Sequence, residues 1–176
     1  MNIHATKKLF DSIPFGAETI VTPEDSLYSW HANLLVIDRR KALVLMNEAT
    51  RYAVVLYGVK AKDLKRIDQL VGESIRTMLL ADHVDESVID QYFEKAGGVT
   101  FHKSKNRSLT SRLNKACETV WFLGDELTLA EPVSVLASKR LNHLLVGGAG
   151  LEMTRPDEEM MAALAAMSGS DSDYEG

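Results

Sequence analysis

The chain has 176 residues, 45% of them hydrophobic and 26% charged. That is ordinary usage for one globular domain and excludes a wholly disordered chain. Its formal net charge of −5 hides a contrast: six acids and no Lys or Arg follow from Asp157 to the end, and setting them aside turns −5 into +1. The single cysteine, Cys117, excludes an intrachain disulfide and a thiolate zinc cluster. No apolar run reaches the ~18 residues of a membrane span and no signal-peptide core opens the chain, so a cytoplasmic protein without membrane contact is expected.

Asn2–Phe10 reads as a short strand, and Pro14, Gly16 and Pro23 mark a loop reaching about Ser29. Three apolar runs follow, 32–38, 42–46 and 52–57, separated by Arg39-Arg40-Lys41 and Asn47-Glu48-Ala49-Thr50. Short strand-forming runs with polar breaks predict a β-meander. The runs are apolar on both alternating faces, so the sheet must be covered on both sides.

Leu64, Ile67, Val71, Ile75 and Met78 recur at intervals of three and four, the stripe of an amphipathic helix over about 62–82. Asp85 is the expected cap of a second helix, stopped by Gly97-Gly98, and 99–102 alternates like a fourth strand. Ser108 is the expected cap of a third helix with Leu109, Leu113, Ala116 and Val120 inward, ending at Gly124. Leu127–Leu129 and Val133–Ala137 are weaker strand signals, and Gly147–Gly150 a flexible link. Pro156 opens a last helix carrying Met160, Met161, Leu164 and Met167. The expected architecture is a single α+β domain over 1–167, an antiparallel meander sheet covered by amphipathic helices, with a disordered acidic tail over 168–176.

Two polar clusters are candidates for a site. The first brackets the meander: Asn33, Arg39, Arg40, Lys41, Asn47 and Thr50. Such residues either form turns and a solvated hairpin tip or, with Arg40 and Lys41 as a clamp, hold an anion. The second is Lys105, Asn106, Arg107 and Ser108, with Asn114 further along the same helix. It falls where five cations occur without an acid between Val99 and Ala116. A helix start bearing free backbone N–H groups beside cations suits phosphate, although the same residues also describe a capped helix with a wet basic loop. His31 and His102 both stand near cations at element ends, and an imidazole pair with a cation can serve phosphodiester cleavage. His4, His31, His83, His102 and His143 show no metal-ligand spacing, and the glycines at 147–150 match neither phosphate loop nor dinucleotide fingerprint. No metal and no cofactor is expected.

The string from Trp30 to Lys41, with Asn47 and Thr50-Arg51-Tyr52 behind it, resembles the core motif of a bacterial domain family of unknown function. Thr6–Leu9, Asn106-Arg107-Ser108 with Asn114, and Leu141-Asn142 are similar to its further motifs, so the likeness runs from Asn2 to Pro156. Members are small proteins or domains beside another domain first described from a plasmid open reading frame. The resemblance implies one α+β domain of bacterial or mobile-element origin and carries no activity with it. The functions expected from the residues are therefore three: a domain binding a phosphate-bearing ligand, nucleic acid first; an RNase-like enzyme using His31 and His102; or a protein-interaction module docking through the Met-rich C-terminal helix.

Overall fold

The computed structural model describes residues 1–14, 25–147 and 152–170. β1 (Asn2–Ala5) runs into one helical turn, α1 (Lys7–Phe10). The three apolar runs form β2 (Ser29–Ile37), β3 (Arg40–Asn47) and β4 (Ala53–Val59), an antiparallel meander. Asp38 and Arg39 join β2 to β3 at φ 47° and 63°, the left-handed pair that a two-residue hairpin needs to match strand twist. Then come α2 (Ala61–Leu64), α3 (Ile67–Ala81), α4 (Glu86–Ala96), β5 (Thr100–Lys103), α5 (Arg107–Phe122) and α6 (Val135–His143). β6 (Val146–Gly147) pairs with β7 (Met153–Thr154), and α7 (Pro156–Gly169) closes the described chain.

The main sheet has the order β4-β3-β2-β1-β5, with β1 parallel to both β2 and β5. The sheet is therefore mixed and not purely antiparallel. Parallel neighbours need a crossover between them, and the helices α2 to α4 supply the one that returns the chain to β5. Helices cover both faces, as the two-faced apolar runs require. Trp30, Ala32, Leu34, Leu43, Leu45, Val54 and Leu56 meet α3, α4 and α7 on one side. Ala42, Val44, Met46, Ala53 and Val55 meet α5 and α6 on the other. The buried Trp30 indole donates to Tyr92 Oη at 2.9 Å, and Tyr92 donates on to the Leu27 carbonyl, so the polar tips of the two largest core rings satisfy each other. No described helix is long and apolar enough to cross a membrane.

Several local expectations change. The helix expected over 62–82 is two helices, broken at Lys65 and Arg66, where Arg66 leaves helical geometry at φ −123°, ψ 33°. Asn106, not Ser108, caps α5: its side chain accepts from the Leu109 N–H at 3.1 Å. α5 ends at Phe122, capped by Leu123 and not by Gly124, which opens a 3-10 turn instead. Leu127–Leu129 form no strand, and Val133–Ala137, apart from a bridge of Val133 to Leu56, feed α6. In α7, Met160, Leu164 and Met167 are buried in the core and Met161 packs against it. The methionine face thus belongs to the domain's interior, and α7 turns alanines to solvent. Helix α7 also runs two residues past the expected boundary at 167. The expected features at Gly16, Pro23, Gly148–Gly150 and Asp171–Gly176 lie outside the described residues.

Candidate functional site

Strand alternation sends Ile3, Ala5, Trp30, Ala32 and Phe101 into one core. It sends Asn2, His4, His31, Thr100 and His102 to the opposite face. The register then places His4 opposite His31 on one flank and opposite His102 on the other. Three imidazoles from three adjacent strands form a row. His4 stacks on His31 with ring centroids 4.9 Å apart, and it lies 5.7 Å from His102. The row continues through Met46 to Ala53 on β3 and β4. Helix α5 packs across β2 and β3, and α6 against β4, so the β1–β5 end of this face opens as a cleft.

The cleft encloses about 350 Å³ and is lined by His4, His31, His102, Glu48, Lys103, Lys105, Asn106 and Leu109. His31 is 2% exposed, and its Nε2 lies 3.0 Å from Glu48 Oε2. A carboxylate on one ring nitrogen orients the imidazole and selects its tautomer. His102 is held at the other end by Asn2 Oδ1 and Thr100 Oγ1, 3.2 and 3.3 Å from its Nε2. Lys105 and Asn106 form the rim where α5 begins, and no acid occurs in the helix's first turn. That end of the helix carries partial positive charge. The Lys103 ammonium turns away over the Phe10 ring. An anion entering here meets imidazoles on the floor and cations with backbone N–H groups on the rim.

The cations of the β2–β3 hairpin and the basic junction before α5 do not line one pocket. His31, His102, Lys105 and Asn106 come together. Arg107 and Ser108 lie exposed in the first turn of α5 just outside the lining, and Asn114 is exposed further along it. Arg39, Arg40 and Lys41 sit at the hairpin on the far side of β2, and Arg40 lines a separate cleft with Lys60, Lys62 and Arg66. Asn33 lies under α5, where Oδ1 accepts from Thr6 Oγ1 at 2.7 Å and Nδ2 reaches Cys117 Sγ. Asn47 is fully buried. Its Oδ1 accepts from Ala49 N, Thr50 N and Thr50 Oγ1, and its Nδ2 donates to the Leu27 carbonyl. Asn33, Asn47 and Thr50 are therefore engaged in hydrogen bonds within the fold. Cys117, on α5 beneath Asn33, has its thiol pushed up to about 11 by burial, which makes it a core residue and not a nucleophile.

His4 and Glu48 are the residues that sequence reasoning missed. The alternation of Asn2 and His4 with Ile3 and Ala5 marks His4 as facing away from the apolar core, but nothing local places it between His31 and His102. A cavity of about 660 Å³ beside Asp82, Lys139, His143 and Asp157 is built from groups that already pair with each other. Lys139 lies 3.4 Å from Asp82, and His143 2.9 Å from Asp157. Tyr52 donates to Asp82, and burial followed by that carboxylate raises the phenol's pKa. No curated protein matches the chain. The family model described as "Domain of unknown function (DUF6933)" matches residues 2–159, a span that includes all the residues of the cleft, and the chain belongs to that family.

Proposed function

We propose that the domain binds a phosphate-bearing ligand, nucleic acid before others, in the histidine cleft. What carries the reading is convergence. Residues 4, 31, 48, 102 and 105–106, from distant stretches of chain, line one concavity at the start of a sixteen-residue helix. His4, His102 and Lys105 are the side chains placed to meet a phosphate. The first-turn N–H groups of α5, together with Arg107, add positive potential. The test titrates single-stranded RNA and duplex DNA from low to moderate salt. Binding should weaken steeply with salt, and Lys105→Ala with Arg107→Ala should reduce both affinity and salt slope. Absence of salt-sensitive binding at low salt overturns the proposal.

The His31–Glu48 pair favours a second reading, cleavage of a bound RNA strand. An imidazole fixed by a carboxylate is placed to take a proton from a ribose hydroxyl. Wild-type protein should then cut a short RNA and His31→Ala should not. Equal cutting by both points to a contaminating nuclease and leaves binding alone.

A further inference from the structure

The histidine row does not stop at the cleft. Its next residue, Met46, pairs with His31 across β2 and β3 and forms the floor of a second cavity of about 360 Å³. Three cations, Arg51, Arg112 and Lys115, line that cavity. No residue lines both cavities, but the same two elements wall them. On α5, Leu109 lines the cleft, while Arg112 and Lys115, three and six residues on, line the second cavity. On the turn between β3 and β4, Glu48 faces the cleft and Arg51 faces the second cavity.

We infer that cleft and basic pocket are one groove for a single strand of nucleic acid, in which Arg51, Arg112 and Lys115 take the phosphate next to the one held at the histidines. The inference rests on the binding reading above. From His102 to Met46 the row crosses three interstrand steps of about 4.8 Å, so its two ends lie on the order of 14 Å apart. That leaves room for more than one phosphate.

Among the described residues these charges lack a carboxylate partner. No carboxylate lines the second cavity, and none of its three cations makes an ion pair among the described residues. Arg51 is held in place instead. Its backbone takes a left-handed φ of 61°, and Nη1 donates to the Gly147 carbonyl at 2.5 Å. Its Nε is buried and finds no hydrogen-bond partner among the described residues. Burial first, and then the nearby Arg112 charge, lower its pKa, so both guanidiniums gain from an anion between them. Planar guanidinium forks suit phosphate oxygens. The rest of the lining is apolar. Leu144 and Leu145 are half exposed beside Leu141 and Pro156, a surface for the face of an unstacked base. A base inside a duplex cannot reach such a surface, which selects single strands.

The experiment measures binding of a labelled pentauridylate to the full chain by fluorescence anisotropy across a salt series. It compares wild type, Lys105→Gln/Arg107→Gln and Arg112→Gln/Lys115→Gln. Both double variants should lose about tenfold or more in affinity. Each should also flatten the log–log salt slope by about 0.7 for every phosphate contact removed. Loss only in Lys105→Gln/Arg107→Gln overturns the extended groove and leaves the cleft reading standing. Loss only in Arg112→Gln/Lys115→Gln overturns the cleft reading, and the extension with it. No binding by wild type overturns both. A duplex of equal length bound as tightly as the single strand overturns the strand selectivity assigned to the pocket.

Discussion

Asn142 is the residue whose replacement tests most sharply how this sheet is closed. β4 is an edge strand, and its outward backbone groups would template aggregation if left open. Ala53 N–H donates to Asn142 Oδ1 at 2.6 Å, and Asn142 Nδ2 donates back to the Ala53 carbonyl at 2.9 Å. Val55 is treated alike: its N–H donates to Ser138 Oγ, and its carbonyl accepts from Ser134 N. Asn142 is 1% exposed and Ala53 likewise, so water does not replace a lost partner. Asn142→Leu keeps the volume and orphans two backbone groups, each costing about 1–3 kcal/mol. We expect a loss of about 3–4 kcal/mol, a large share of a typical total of about 5–15 kcal/mol. Urea unfolding followed by circular dichroism should show the midpoint falling by about 1.5–2 M for a slope near 2 kcal/mol/M. Arg140→Ala, two residues away on the same helix and exposed in an ion pair with Glu126, should cost less than about 1 kcal/mol. A loss below about 1 kcal/mol for Asn142→Leu, with the slope unchanged, would refute the edge-sealing argument.

Three further outcomes follow from single observations. Gly58 has φ +77°, and a Cβ there would come 2.6 Å from Leu129 Cδ2. Leu129 is half exposed and able to move, so Gly58→Ala should cost about 1–2 kcal/mol of backbone strain in thermal melts, and adding Leu129→Ala should recover little of it. The Cys117 thiol is raised from about 9 to about 11 by burial, so the folded state holds its proton longer than the unfolded state. Its contribution is intact below about pH 9 and fades as pH climbs toward 11, by about 2–3 kcal/mol in all. Subtracting the Cys117→Ala stability curve from wild type should isolate that alkaline slope, and a flat difference would count against it. Finally, His4→Val places a strand former in a strand and should leave stability unchanged or raised within about 1 kcal/mol in urea melts while abolishing salt-sensitive RNA binding. A loss of several kcal/mol would make the histidine structural.

The meander and most helices were legible because their signals are local. Ile67 to Met78 spell one helical face, and residues 32–57 spell three strands, within windows that close on themselves. α6 was misread for an instructive reason. Its Ser134, Ser138 and Asn142 recur every four residues and face inward, against the β4 backbone. A buried polar stripe inverts the hydrophobic pattern that periodicity relies on, and the β-branched Val133 and Val135 then suggest a strand. Asn47 was ambiguous for a similar reason, since the turn that consumes its amide leaves the same residue type in sequence as a ligand contact would.

The candidate site was legible only in its parts. The basic junction before α5 and the lone histidines are visible as residue types, but their meeting depends on β1 entering between β2 and β5. That placement fixes His4 against both neighbours at once, and no window of sequence contains it. Burial makes the result informative. Polar groups placed in a sheet cost free energy unless partnered, and these are strand positions that Val or Thr would fill readily. Stability therefore does not account for three imidazoles side by side. A second cationic pocket further along the same row, with no carboxylate among its described lining residues, is hard to explain by packing either. Both features support the proposed reading, in which this edge of the sheet presents imidazoles and cations in a line to a ligand that lies across the strands.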